Sequence, residues 1–312
     1  MQKDKGKIAV VFPGQGSQAV GMGKDFFEQV GVVKGLYEEA SGLLGYDLAQ
    51  LTFEGPASEL NKTVRTQPSL LVASVAAYRA LTLKGVVPSV VAGHSLGEYS
   101  ALVAAGALSF ADAVRMTEVR GRIMQEAVPE GTGLMAAILG MERKDLDDVC
   151  AGITTGYVAA ANYNCPGQIV ISGEKEAVEE AMKKALDSGA KRAVKLNVSI
   201  PSHCRLMEEA AKLFESALSA ITLRDAKIPV ICNADARITT ESAVIRQALV
   251  KQLSHPVLWE DCVKAIAATD AGTFIEVGPG KVLSGLIKRI EPSVRIFNVE
   301  NVDTLNKTLA AL

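Results

Sequence analysis

Excess charge is the first thing missing from this 312-residue chain: 33 lysines and arginines meet 35 acidic residues, for a formal charge of −2. No global basic field is available to hold nucleic acid or an anionic membrane, so partners must be recognised locally. Cysteines are also sparse. The five, Cys150, Cys165, Cys204, Cys232 and Cys262, form no C-x-x-C pair, which argues against a disulfide framework or a metal site of the zinc type. A reducing, cytoplasmic setting fits that usage. No apolar run approaches the ~18 residues a membrane helix needs, and the charged opening stretch 1–7 has no signal-peptide core behind it. A soluble protein is expected, with no membrane and no nucleic-acid partner. Low-complexity segments, long linkers and fixed-period repeats are absent too.

The length suffices for one large α/β domain, alone or with a small one. Short apolar runs at 8–12, 90–92, 230–232 and 274–277 alternate with amphipathic stretches. That alternation predicts βα units and a mostly parallel sheet covered on both faces. One segment breaks the rhythm. It reads as strand 134–139, helix 143–151, strand 158–162, strand 168–172, helix 175–188 and strand 192–198, the β-α-β-β-α-β order of a ferredoxin-like unit. The expected architecture is a large hydrolase-like α/β domain (1–130 and 199–312) carrying an inserted ferredoxin-like subdomain (131–198).

Residues 93–97 read Gly-His-Ser-Leu-Gly, after an apolar run and before a helix-like stretch. A G-x-S-x-G pentapeptide in a strand-then-helix setting is a nucleophile elbow. The turn strains the backbone at Ser95 and brings neighbouring chain too close for a Cβ at the flanking glycines. Ser95 is thereby exposed at a helix N-terminus, where the N–H of Leu96 points toward an oxyanion.

A serine nucleophile needs a base, and the chain offers three histidines, His94, His203 and His255. His94 adjoins Ser95, so its side chain should diverge and brace the loop. His203 opens a helix expected over 205–220; with Ser202 near the N-cap it falls in the first turn, where the helix dipole keeps imidazole neutral. His255 precedes Pro256 in a helix-ending turn. His203 is the first choice and His255 the second.

Along a helix expected over 111–127, Ala113, Met116, Arg120, Ile123, Met124 and Ala127 share one face, so Arg120 points inward. A buried guanidinium must be paired. Its partner is either a protein carboxylate or a carboxylate on the substrate, held bidentately. Two glycine-rich turns remain. Gly14-Gln15-Gly16-Ser17-Gln18-Ala19 imitates a dinucleotide fingerprint, but no strand ending in an acidic residue follows at the right spacing; a loop whose N–H groups face the elbow is the better reading. Gly278-Pro279-Gly280-Lys281-Val282 lacks the spacing and hydroxyl of a phosphate loop and reads as a strand-to-helix turn.

Taken together, Pro13-Gly14-Gln15-Gly16-Ser17-Gln18, Gly93-His94-Ser95-Leu96-Gly97-Glu98-Tyr99, Val119-Arg120-Gly121, Asn164-Cys165-Pro166-Gly167-Gln168, Ser199-Ile200-Pro201-Ser202-His203-Cys204 and Gln252-Leu253-Ser254 closely resemble the malonyl-CoA:acyl carrier protein transacylases of bacterial type II fatty acid synthesis. The resemblance runs from about residue 7 to residue 300 in unbroken order. It implies ping-pong transfer of malonyl from malonyl-CoA to the phosphopantetheine thiol of acyl carrier protein through malonyl-Ser95. By the same resemblance His203 is general base and acid, Arg120 clamps the malonyl carboxylate, and the N–H groups of Gln15 and Leu96 form the oxyanion hole. The backbone carbonyl of Gln252 then orients His203, making a Ser-His dyad, and the site lies in the gorge between the subdomains. No metal or cofactor is expected, since coenzyme A and phosphopantetheine enter as substrate carriers, and a monomer is expected. The alternatives are a serine thioesterase or hydrolase, a polyketide-type malonyl transferase, or an idle carrier-docking module. Lys183-Lys184, Lys191-Arg192 and Lys288-Arg289 are short basic groups that assign no docking face.

Overall fold

The structure is a computed structural model that describes residues 6–129, 131–196, 198 and 200–312. Residues 1–5, Glu130, Asn197 and Ser199 lie outside the described residues; the charged opening stretch, the expected domain boundaries, the strand expected to Val198 and the motif starting at Ser199 each touch one of them.

Ten strands form two sheets among the described residues. β1 (Lys7–Phe12), β2 (Val90–Gly93), β7 (Val230–Ile231), β8 (Ile238–Thr239), β9 (Ala271–Val277) and β10 (Arg295–Val299) make a six-stranded sheet in the order β10-β9-β1-β2-β7-β8. All its neighbours are parallel except β7 and β8. β1 shows why the strands are continuously apolar: Val10 and Phe12 join one core while Ala9 and Val11 join a second on the opposite face. A sheet buried on both faces cannot afford the polar alternation of a half-exposed strand.

Helices cover those faces. α1 (Lys24–Gln29), α2 (Gly31–Leu44), α3 (Leu48–Glu54), α4 (Ala57–Leu60) and the long, nearly all-buried α5 (Thr63–Thr82) separate β1 from β2. α6 (Gly97–Ala104) and α7 (Phe110–Glu126) follow β2. The Ser109 side chain caps α7 through the Asp112 N–H, which starts the helix one residue before the sequence suggests.

The second sheet has the order β4-β5-β3-β6, with every pair antiparallel. In chain order β3 (Gly133–Leu139), α8 (Arg143–Ala151), β4 (Val158–Cys165), β5 (Gln168–Glu174), α9 (Lys175–Asp187) and β6 (Arg192–Lys195) give the ferredoxin-like sequence of elements. Ile138, Leu146, Ile171 and Val178 close its own core. β4 runs longer than expected because it pairs with β5 up to the turn at Pro166-Gly167, and β5 runs on to Glu174 because its far end pairs with Gly133 and Leu134 of β3. β6 is shorter than expected and ends at Lys195, the last residue in regular register with β3, although Leu196 N–H still donates to Met135 O at 2.9 Å.

The chain then returns to the large layer. A short 3₁₀ turn, Arg205–Met207, precedes α10 (Glu208–Ser219), so the single helix expected over 205–220 is split. α11 (Ser242–Ser254), α12 (Trp259–Ala267), α13 (Val282–Ile290) and α14 (Val302–Ala311) complete the cover. The two sheets are stitched along β4: Tyr163 N–H and Val257 O pair at 2.9 Å, as do Val257 N–H and Ala161 O. Arg143 of α8 adds ion pairs to Asp261 at 2.7 Å and Glu260 at 3.0 Å of α12.

Candidate active site

Ser95 sits between the end of β2 and the start of α6 with φ 51°, a left-handed conformation that a residue with a side chain adopts only under constraint. The constraint is visible at both glycines. A Cβ on Gly93 would run into the backbone of Gly97, and one on Gly97 into the carbonyl oxygen of Phe12. Asn233, just past β7, secures the turn: its Oδ1 accepts from Ser95 N–H at 2.6 Å and its Nδ2 donates to Gly93 O at 2.7 Å.

His203 Nε2 lies 2.7 Å from Ser95 Oγ, and His203 Nδ1 lies 2.7 Å from the backbone oxygen of Gln252. A carbonyl only accepts, so the proton belongs on Nδ1 and the lone pair of Nε2 faces the serine hydroxyl. His203 is not in a helical first turn, as the sequence suggested. It has φ 62° and precedes Cys204, the N-cap of the 3₁₀ turn. Its neutrality comes from burial first and the nearby Arg120 second, which push its pKa down to about 3.

The other histidines lie elsewhere. His255 is exposed at the end of α11, with Nδ1 3.1 Å from Lys251 O. His94 turns away from Ser95: its Nε2 is 2.8 Å from Asn164 Oδ1 of β4, and its ring stands edge-on to Trp259.

Arg120 of α7 is fully buried. Nη1 donates to Gln67 Oε1 at 3.0 Å, and Nη2 donates to Gln252 Oε1 at 3.0 Å and to Ser95 Oγ at 3.3 Å. All three acceptors are neutral. Among the described residues no carboxylate oxygen lies within the 4.0 Å of an ion pair, so the internal salt bridge weighed from the sequence is not formed there. Glu98, whose charge acts on Arg120, is itself buried; burial raises its pKa to about 7 against the opposing hydrogen bonds from Asn233 and Gln252.

These groups open into a cavity of about 190 Å³ between the sheets, lined by Gln15, Ser95, Arg120 and His203 on one side and by Met135 and Asn162 on the other. The loop after β1 presses against the elbow, since a Cβ on Gly14 would meet the carbonyl oxygen of His94. Among the described residues the N–H groups of Gln15 and Leu96 are taken up by no backbone carbonyl. The turn at Gly278-Pro279-Gly280 links β9 to α13, as read, and Val282 and Leu286 of α13 wall the cavity.

Ser95, His203, Arg120 and Gln252 are thus brought together, with Gln15 and Leu96 beside them. The sequence reading missed Gln67, Asn233, Glu98 and the side chain of Gln252. A faint signal existed for Glu98, a carboxylate set in an otherwise apolar helix; Asn233 and Gln67 carry none.

The chemistry available is nucleophilic acyl transfer, and the relatives agree with it. A family model for the acyl transferase domain matches residues 9–303. The malonyl CoA-acyl carrier protein transacylase of Escherichia coli K12 is 52% identical over 286 residues, covering 91% of this chain and 93% of that one. Its counterpart in Bacillus subtilis strain 168 is 48% identical over 308 residues, covering 98% and 97%. Among solved structures, an acyl carrier protein S-malonyltransferase from Vibrio cholerae is similar at TM-score 0.94 and 48% identity, covering 97% of this chain and 99% of the other. A malonyl-transacylase solved in complex with its type II PKS acyl-carrier protein is similar at TM-score 0.96 and 47% identity, covering 98% and 100%. With an elbow serine, a neutral histidine and an arginine bonded to neutral partners in one cavity, and with these relatives, this chain belongs to the malonyl CoA-acyl carrier protein transacylases of the acyl transferase domain family.

Proposed function

We propose that this enzyme transfers malonyl from malonyl-CoA to acyl carrier protein through malonyl-Ser95, with the residue roles that follow. The observation that carries the assignment is the 2.7 Å approach of a neutral His203 Nε2 to Ser95 Oγ. His203 takes the hydroxyl proton as Oγ bonds to the thioester carbonyl carbon. The resulting oxyanion is received by the N–H groups of Gln15 and Leu96. Collapse breaks the carbon–sulfur bond, and the departing coenzyme A sulfur takes the proton from His203. The carrier's phosphopantetheine thiol then gives its proton to His203 and attacks malonyl-Ser95 by the same steps in reverse order. Gln252 O holds the imidazole in the required tautomer throughout.

Arg120 receives the free carboxylate of the malonyl group. Its five N–H donors make three hydrogen bonds within the protein, so donors remain for an anion. An acyl group without a carboxylate leaves a buried guanidinium unmatched, which supplies selectivity.

The scheme calls on no metal or cofactor, because coenzyme A and phosphopantetheine travel with the substrates. We place the enzyme in the cytoplasm as a monomer without nucleic-acid or membrane partners; five free cysteines, all buried, and the near-neutral charge support that setting. No helix among the described residues is long and apolar enough to cross a membrane.

The deciding experiment is transfer from malonyl-, methylmalonyl- and acetyl-CoA to purified carrier protein. Carrier-dependent malonyl transfer is expected; release of free malonate at the same rate without carrier would make the enzyme a hydrolase.

A further inference from the structure

The two residues that hold the dyad, Gln252 and Asn233, converge on a single atom. Glu98, in the first turn of α6, is completely buried, and its Oε2 accepts from Gln252 Nε2 at 2.7 Å and from Asn233 N–H at 3.1 Å. Asn233 in turn accepts from Ser95 N–H. Gln252 reaches three parts of the site: its backbone oxygen meets His203, its Nε2 also donates to Ser95 O at 3.0 Å, and its Oε1 accepts from Arg120. The amide has two unlike ends. With Nε2 turned to Glu98, Oε1 must face the guanidinium; turned the other way, donor would meet donor at Arg120.

We propose that Glu98 is a positioning residue for acyl transfer, the acceptor that fixes the Gln252 amide and, through it, the guanidinium that meets the acyl carboxylate. The inference rests on the malonyl-transfer reading above. What the site requires of Glu98 is an oxygen that accepts, not a charge. Oε1 is buried with no hydrogen-bond partner among the described residues, so a proton placed there leaves Oε2 accepting from both donors. A carboxylate buried in an apolar helix is costly to desolvate, and its hydrogen bonds to Gln252 and Asn233 are what offset that cost.

The test compares Glu98→Met, which removes the acceptor at similar size, with Glu98→Gln, which restores an acceptor oxygen without charge. Single-turnover malonylation and acetylation of Ser95 are followed by mass spectrometry and normalised to folded protein. In Glu98→Met, malonylation should fall by about tenfold or more and acetylation by clearly less, so that malonyl preference drops at least ~threefold; Glu98→Gln should recover the preference. A purely structural role would lower the melting temperature without moving the ratio per folded molecule. An unchanged ratio in Glu98→Met, or the same loss in Glu98→Gln, overturns the proposal. Should Glu98→Met fail to fold, Gln252→Met keeps the carbonyl on His203 and removes the amide that Glu98 holds; it must show the same drop, and an unchanged ratio overturns the proposal. If the unsubstituted enzyme itself formed no malonyl adduct at Ser95, the underlying reading would fall instead, so the two failures are distinct.

Discussion

Ser95 Oγ and His203 Nε2 meet at 2.7 Å across 108 residues of sequence. The pair comes from two left-handed backbone positions, one on the elbow and one just before a 3₁₀ turn. Ser95→Ala should therefore give no acyl-enzyme at all. His203→Ala should slow acylation by on the order of 10³-fold or more, because the proposed nucleophile loses the imidazole at 2.7 Å from its hydroxyl. Intact-mass measurement after mixing with malonyl-CoA reads both, and a persistent adduct on Ser95→Ala would remove the serine from its role.

Arg120→Ala should separate acyl groups. Malonyl transfer is expected to drop by about 10²-fold or more, the scale on which a site built for a polar group rejects its absence, while acetyl transfer is spared or improved. Arg120→Lys should rescue little, since a point charge cannot reproduce the fork that reaches Gln67 and Gln252 together. Equal losses with malonyl- and acetyl-CoA would sink the carboxylate clamp.

The depressed pKa of His203 has two pH signatures. Its folded value of about 3 lies below the ordinary histidine value of 6.5, so the unfolded chain binds the extra proton between those limits. Stability contributed by the neutral buried ring is present above pH 6.5 and is lost as pH falls toward 3. His203→Asn should thus show a flatter decline of melting temperature from pH 6.5 to 4 than the unsubstituted enzyme. In kcat/KM for malonyl-CoA, an acid limb near 6.5 assigned to His203 would contradict this environment.

Gly97→Ala tests the elbow itself. The added Cβ would meet the backbone oxygen of Phe12, which cannot rotate away as a side chain could. Overpacking of this kind costs about 1–3 kcal/mol, and the displaced turn should also slow Ser95 acylation per folded molecule. Chemical denaturation together with acylation kinetics gives both numbers; an unaffected protein would mean the elbow tolerates a side chain there.

Asn233→Ala removes the partner of Ser95 N–H and of Gly93 O in one step. Leaving those buried backbone groups unpaired should cost roughly 1–3 kcal/mol of stability. Slower acylation at saturating malonyl-CoA should accompany it, since the strained φ of Ser95 loses its restraint. Wild-type acylation in a destabilised Asn233→Ala protein would limit Asn233 to folding.

Local chemistry carried much of the fold into the sequence. Continuous apolar strands announced a sheet buried on both faces, and the β-α-β-β-α-β run announced the second sheet because each element has its own periodicity. Where the reading erred, the cause was tertiary. β6 leaves regular pairing at Lys195 although β3 runs on to Gly133 and Leu196 N–H still bonds Met135 O, and the helix expected over 205–220 begins as a 3₁₀ turn just after His203, whose N–H bonds Leu253 O across to α11. The neutrality of His203 was expected for the wrong reason. A helix dipole is a local property, whereas burial among distant elements is not.

By itself the sequence determined the elbow, since a strained serine between two glycines needs only its immediate neighbours. It also determined that Arg120 faces inward, from helical spacing alone. The tertiary structure decided what those residues meet. It chose His203 over His255, gave Arg120 two neutral amides in place of a carboxylate, and set Glu98 behind Gln252 and Asn233. Those contacts join residues from α5, α6, α7, α11 and the segment after β7, and no local pattern encodes them. They arise when two sheets pack and leave a small cavity between them.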